Sequence, residues 1–223
     1  MDSKHGFCGY TNEFCGSGCQ PNSKGEGCGT PKRPSCPAEV APLKLPRRVA
    51  YYQLFALDRD CGVKEPEDLP LGALTHLNLA FVNFEPNGTD KWRLDHTDSY
   101  WIKRAVATKL RYPHLRVNIA IGGWAFNDEP TQRYFSNMAS RHNSRENFVK
   151  DVVNFLRQYG LNGVDIDWEY PAAFDRGGTP ADEDNYVLLL SQMRQAFDRE
   201  GAGWEISIAI PSSYWYLKGF ALE

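Results

Sequence analysis

Five apolar, β-rich runs alternating with helical patterns predict an α/β chain organised around a parallel sheet. Chemistry-capable side chains fall at the carboxyl ends of several different runs, the distribution by which a (β/α)8 TIM barrel builds its active face. No glycine-rich phosphate loop follows any run, so a doubly wound nucleotide-binding sheet has little support.

The runs are Val49 to Phe55, His76 to Phe84, Arg116 to Gly122, Gly163 to Trp168 and Trp204 to Pro211, with intervals long enough for crossovers. Between the third and fourth, Asn143 with Glu146 three residues on gives a capping-box-like helix start. Phe148, Val152, Phe155 and Leu156 follow at helical spacing, and Gly160 provides the stop. Between the fourth and fifth, Tyr186, Leu189, Leu190, Met193 and Phe197 recur at helical spacing within Ala181 to Glu200. At the run ends stand Phe81 and Asn83, then Gly122-Gly123-Trp124, then Glu169 and Tyr170. Taken singly, Tyr51, Phe81 or Trp124 reads first as core packing.

In the fourth run Asp165, Asp167 and Glu169 alternate with Val164, Ile166 and Trp168. Successive strand side chains point to opposite faces, so the carboxylates share one face and the apolar residues the other, where a helix can cover them. Carboxylates crowded in this way share protons or bind a counter-charge, and the crowding raises a pKa toward that of a proton donor near neutrality. The residues leave three readings open: a solvated strand face, a glycosidase-type acid/base site and a divalent-metal site. Gly163 precedes the acids, whereas an EF-hand loop wants glycine at its sixth position, which counts against metal. Pro171 and a helical pattern follow, and strands of such strand-to-helix units are buried on both faces, which counts against a solvated face.

The stretch Asn162-Gly163-Val164-Asp165-Ile166-Asp167-Trp168-Glu169-Tyr170-Pro171 resembles the signature strand of glycoside hydrolase family 18 chitinases, Asp-Gly-x-Asp-x-Asp-x-Glu. Ile119-Ala120-Ile121-Gly122-Gly123-Trp124 is similar to that family's Ser-x-Gly-Gly motif, and Val49-Ala50-Tyr51-Tyr52 to its first strand. Tyr170 through Asp175-Arg176-Gly177-Gly178 to Leu190 is similar to the fungal branch. The resemblance implies hydrolysis of β-1,4 linkages between N-acetylglucosamine units by a substrate-assisted retaining mechanism, an exception to the general two-carboxylate scheme. Glu169 would be the acid/base. Asp167 would hold the substrate's N-acetyl group so that its carbonyl attacks the anomeric carbon, and Asp165 would share a proton with Asp167. Tyr51, Phe81, Trp124 and Tyr170 would contact the sugars. The resemblance also implies no cofactor or metal, chitin and chitin oligosaccharides as partners, and a monomeric, extracellular protein.

Two motif positions depart from the family. Asn162 stands where Asp is usual; its strand parity is opposite to the acids', so it is expected to brace Asp165. Ala120 stands where Ser is usual, so a buried hydrogen bond near the carboxylates is expected to be missing or made by water. From Arg47 to Glu223 the chain falls well short of the roughly 250 residues of an eight-fold barrel. About the first five βα units are therefore expected, without strands six to eight. The alternative to a working chitinase is a non-catalytic chitin-binding protein or an inactive truncated fragment.

Residues 1 to 36 differ in composition, holding five of the six cysteines, many glycines and few aliphatic residues, so the segment must be stapled rather than packed. Cys8, Cys15, Cys19, Cys28 and Cys36 lack paired Cys-x2-Cys knuckles, which favours disulfides over zinc. Ser3 through Gly16 resembles the second half of a hevein-like chitin-binding module. That resemblance implies sugar contacts by Ser3, His5, Phe7 and Phe14 and a Cys19–Cys28 pair; the bland reading is that Phe7 and Phe14 pack within a small knot. The expected organisation is a partial module at 1–28, a proline-rich linker at 29–46 and a truncated catalytic domain at 47–223.

A formal charge of −3 and a mean hydropathy of −0.52 argue against a nucleic-acid or anionic-membrane partner. No membrane-spanning segment is expected. Met1-Asp2-Ser3-Lys4-His5 is followed by no apolar stretch and is not expected to open a secretory signal, so extracellular placement is an expectation from the resemblance.

Overall fold

Strands β1 (Val49–Gln53), β2 (His76–Val82), β5 (Arg116–Gly122), β6 (Gly163–Asp167) and β7 (Glu205–Ile208) form one five-stranded sheet in the order β1-β2-β5-β6-β7. Every pairing in it is parallel, as alternation of strands and crossovers predicts. A two-stranded antiparallel hairpin, β3 (Phe84–Pro86) with β4 (Trp92–Leu94), stands beside it in sequence. This computed structural model describes residues 47–59 and 62–222. The cysteine-rich segment and the linker, with Ser3, His5, Phe7 and Phe14, lie outside the described residues. By contacts Arg47–Leu54 with Pro70–Glu223 form one compact unit, which holds the whole sheet.

The sheet is curled. Four spacings of about 4.8 Å would put β1 and β7 roughly 19 Å apart in a flat sheet. Yet Arg47, just before β1, meets the Glu205 carboxylate on β7 at 3.2 Å. On the same face the Tyr51 hydroxyl of β1 donates to Asp165 of β6 at 2.7 Å. The inner face carries small or polar residues, Asn78 and Ala80 on β2, Asn118, Ala120 and Gly122 on β5, and this leaves room for the acids.

The outer face is the core. Val164, Ile166 and Trp168 are buried there beneath α3 (His142–Tyr159) and α4 (Asp182–Glu200). The helices contribute Phe148, Val152, Phe155 and Leu156, and Tyr186, Leu189, Met193 and Phe197, the spacings that predicted them. Trp168 stacks on Phe135 of α2 (Tyr134–Ala139) at 5.3 Å and meets Tyr186 edge-on at 5.2 Å. Phe84 of the hairpin packs against Phe126, Phe135 and Phe148. Helix α1 (Ser99–Ala107) follows the hairpin, and the short α5 (Tyr214–Leu217) follows β7.

Four expectations need correction. The second run is not continuous: register shifts between Ala80 and Val82, the strand ends, and Phe84 begins the hairpin. Strict alternation fails after β1, where the described residues form only 3₁₀ turns, such as Leu54–Asp58 and Leu71–Ala73. Asn143 does not cap α3. The helix starts at His142 behind extended Arg141, without a side-chain cap, so Asn143 already lies inside the first turn, next to Ser144, which accepts the Trp92 indole N–H at 2.7 Å. Asn162 does not brace Asp165. Its Oδ1 accepts from the Val117 amide at 3.0 Å and from Lys109 Nζ at 3.2 Å, which ties the start of β6 to β5. Gly160, in contrast, stops α3 as expected, at φ 68° with the Leu161 N–H donating back to the Leu156 carbonyl.

Candidate active site

Strand alternation puts Asp165 and Asp167 on the curled inner face, and Glu169 follows two residues past Asp167 at the carboxyl end of β6. Both aspartates are buried, at 2% and 7% exposure, and Glu169 is half-buried, so the solvated strand face is excluded.

Each aspartate has a distinct environment. Asp165 accepts the Tyr51 hydroxyl at Oδ2 (2.7 Å) and the Ser207 hydroxyl at Oδ1 (2.5 Å). Ser207 faces Asp165 in register from β7, while Ala120 faces it from β5. The hydroxyl expected to be lost at Ala120 is thus supplied by the strand on the other side. Tyr51 in turn accepts from the Asn78 amide, and Asn118 donates to Asn78 at 3.3 Å, so a polar chain supports Asp165 from below. Burial, then the bond and charge of Asp165, push the Tyr51 hydroxyl well above its ordinary value, so it stays a donor.

Asp167 lacks such support. Burial foremost, then the charges of Glu169 and Asp165 and a hydrogen bond with Glu169, raise its carboxyl from 3.8 to about 7. Asp167 thus meets a like charge on either side and a hydrogen bond from Glu169, while two hydroxyls hold Asp165. Tyr170, beside the acid, is pushed up to about 12 by burial and by the charge and hydrogen bond of Glu169.

The loop after β5 closes on this column. Gly123 N–H donates to the Asp167 carbonyl at 2.9 Å, and Asn127 Nδ2 donates to the Gly123 carbonyl at 2.8 Å. A Cβ at Gly122 (φ 110°) would fall on the Asp167 carbonyl, and one at Gly123 (φ 87°) would meet the Phe81 ring at 2.8 Å. Only glycines allow this approach. Non-proline cis peptides occur at Ala80–Phe81 and Glu169–Tyr170 in the same region.

A cavity of about 360 Å³ is lined by Tyr51, Phe81, Asp167, Glu169 and Tyr170 together with Gln53, Ala80, Ala209 and Ile210. Three of the four expected contact residues thus border one cavity with two of the acids. Trp124 does not line it. Its exposed indole lies beside Arg176, whose guanidinium sits 3.9 Å from the ring centroid and donates to the Glu169 carbonyl at 3.0 Å. Sequence reasoning missed Ser207, Asn127 and the role of Arg176. Strand parity pairs Ser207 with the acid column, a signal too common in sheets to single it out.

The arrangement can hold one proton between two carboxyls beside a third, fixed carboxylate, on a partly aromatic wall. The Glycosyl hydrolases family 18 model matches residues 47–223. An endochitinase of Manduca sexta is 33% identical over 169 residues, which cover 74% of this chain and 30% of that protein. A probable chitinase, LysM18, of Penicillium expansum is 32% identical over 237 residues, covering 98% of this chain and 15% of that one. The crystal structure of Ostrinia furnacalis Group II chitinase catalytic domain 2 superposes with a TM-score of 0.69 at 25% identity, covering 78% of this chain and 45% of that one. The chain thus spans less than half the length of each of these three relatives. With the family model matched from Arg47 to the last residue, the chain belongs to glycosyl hydrolase family 18.

Proposed function

We propose that this chain carries the acid/base half of a chitinase, which cleaves β-1,4 linkages between N-acetylglucosamine units with retention of configuration. The observation that carries this reading is the pair of carboxyls, Asp167 and Glu169, on one cavity walled by Tyr51, Phe81 and Tyr170, where burial and neighbouring charge raise Asp167 to about 7. As substrate binds, the proton held by Asp167 passes to Glu169, which donates it to the glycosidic oxygen as the bond to the anomeric carbon breaks. The substrate's own acetamide oxygen attacks that carbon from the other side and forms a cyclic oxazolinium ion. Asp167 accepts the acetamide N–H and offsets the positive charge, and Asp165, fixed by Tyr51 and Ser207, lies behind it. Glu169, now a base, takes a proton from the water that opens the ring. No enzyme nucleophile is needed.

Flat rings suit the apolar faces of pyranoses, so Tyr51, Phe81 and Tyr170 wall the sugar site and Trp124 extends it. The five strands act as part of a (β/α)8 barrel. The assignment of 1–28 to a partial chitin-binding module with Ser3, His5, Phe7 and Phe14 as contacts, of 29–46 to a linker and of 47–223 to the catalytic domain belongs to the same proposal, as do secretion and a monomeric state. Among the described residues no helix is long and apolar enough to cross a membrane.

Substrate assistance is tested by the acetamide. Fully acetylated chitin oligomers should be cleaved by the full-length protein, with the β-anomer appearing first by NMR, and fully deacetylated oligomers should resist. Equal cleavage of both, or α-anomer first, contradicts the mechanism.

A further inference from the structure

The turn Asp175-Arg176-Gly177-Gly178 takes no part in the bond cleavage proposed above, yet its first two residues reach the site. Arg176 is only 8% exposed, and its whole guanidinium is engaged. Nε donates to the Glu169 carbonyl at 3.0 Å, Nη2 to the Trp124 carbonyl at 2.9 Å, and Nη1 to Asp128. The same plane lies against the Trp124 ring, 3.9 Å from its centroid. Asp175 accepts the Tyr216 hydroxyl at 2.7 Å, and Tyr216 stacks on Tyr170 at 4.5 Å with an interplanar angle of 26°. Gly177 makes the turn possible, at φ 72°, where a Cβ would strike the Gln132 side chain at 2.7 Å.

We propose that Arg176 is the positioning residue that couples the acid to its aromatic platform: one guanidinium fixes the peptide of Glu169 and holds the Trp124 indole ready for a sugar. This rests on the reading of Glu169 as the acid/base. The geometry needs a planar fork. A lysine would keep the charge but could not donate along three directions while stacking. A buried arginine that merely satisfied a loop would require neither the ring contact nor two carbonyls belonging to functional positions. Here both carbonyls are those of Glu169 and Trp124, so releasing the clamp frees the acid and the ring together.

The test compares the full-length parent with Arg176→Lys, Trp124→Ala, the double variant and Glu169→Gln on chitin oligomers, with folding checked by circular dichroism. Arg176→Lys should raise KM about tenfold through the loosened indole and lower kcat about tenfold through the displaced acid. In the Trp124→Ala background its effect on KM should shrink below about twofold while the kcat loss persists. Parental kinetics in Arg176→Lys, or the same rise in KM with and without Trp124, overturns the proposal. If Arg176→Lys does not fold, Asp128→Asn, which loosens one arm of the fork from the surface, replaces it. A rise in KM confined to the Trp124 background supports the clamp, and no rise or an equal rise in both backgrounds overturns it. A parent that cleaves nothing, or an active Glu169→Gln, sinks the hydrolase reading instead. Oligomer affinity measured by calorimetry on the same variants then still decides the clamp, by the same comparison with and without Trp124.

Discussion

Asp167 and Asp165 are the same residue type two positions apart, and their surroundings give them different work. Two hydroxyls hold Asp165, whereas burial and two like charges raise Asp167 from 3.8 to about 7. Folded Asp167 therefore keeps a proton that the unfolded chain gives up, so its contribution to stability is complete below about pH 4 and is lost as pH rises through about 7. Between those values the melting temperature of the parent should fall more steeply than that of Asp167→Asn; parallel curves would contradict the protonated aspartate. Ser207→Ala removes one of the two hydroxyls on Asp165 and should cost about tenfold in kcat, on the order of one charge-assisted hydrogen bond. Unchanged kcat would show that Tyr51 suffices. The acids were legible because a strand's period of two is unambiguous when charges alternate with Val164, Ile166 and Trp168. Ser207 was not legible, because a serine on a strand is ordinary until its neighbour in register is known. Asn162 failed for a related reason: parity says which face a side chain leaves from, but not that a backbone amide of β5 and Lys109 wait there.

Strand β6 is built by contrast between its faces, and its outer face is the part that folding depends on. Trp168, stacked on Phe135 and edge-on to Tyr186, is almost fully buried. Trp168→Ala should destabilise the fold by about 3–5 kcal/mol in denaturant unfolding, and a loss below about 1 kcal/mol would contradict this packing. Helices α3 and α4 were readable because their apolar spacing is long and regular, and Gly160 because a left-handed C-cap wants glycine. The capping box was misread since Asn143 and Glu146 satisfy its pattern without satisfying its geometry. Local chemistry also hid the hairpin: His76 to Phe84 reads as one apolar run, and only pairing reveals the shift at Phe81.

For the molecule as a whole, the curl of the sheet makes the site. At the end opposite the acids, Glu205 of β7 gathers Arg47 from before β1, His76 from β2 and Arg116 from β5. This layer and the Tyr51–Asp165 bond join strands that a flat sheet would hold far apart, and they set the inner face as a concave wall. Parallelism was legible from alternation, and the barrel-like placement of functional groups from the run ends. The curvature was not, since it depends on contacts across the sheet that no local pattern encodes. Among the described residues β1 and β7 each pair on one side only, and unpaired edges invite association.

The central claim is that Glu169 delivers the proton to the oxygen between two amino sugars. Chitin-oligomer hydrolysis by the full-length protein beside its Glu169→Gln variant tests it most directly. The account predicts cleavage by the parent and a loss of about 10³-fold or more in kcat for the variant, with oligomer binding retained. Near-parental turnover by Glu169→Gln would contradict it.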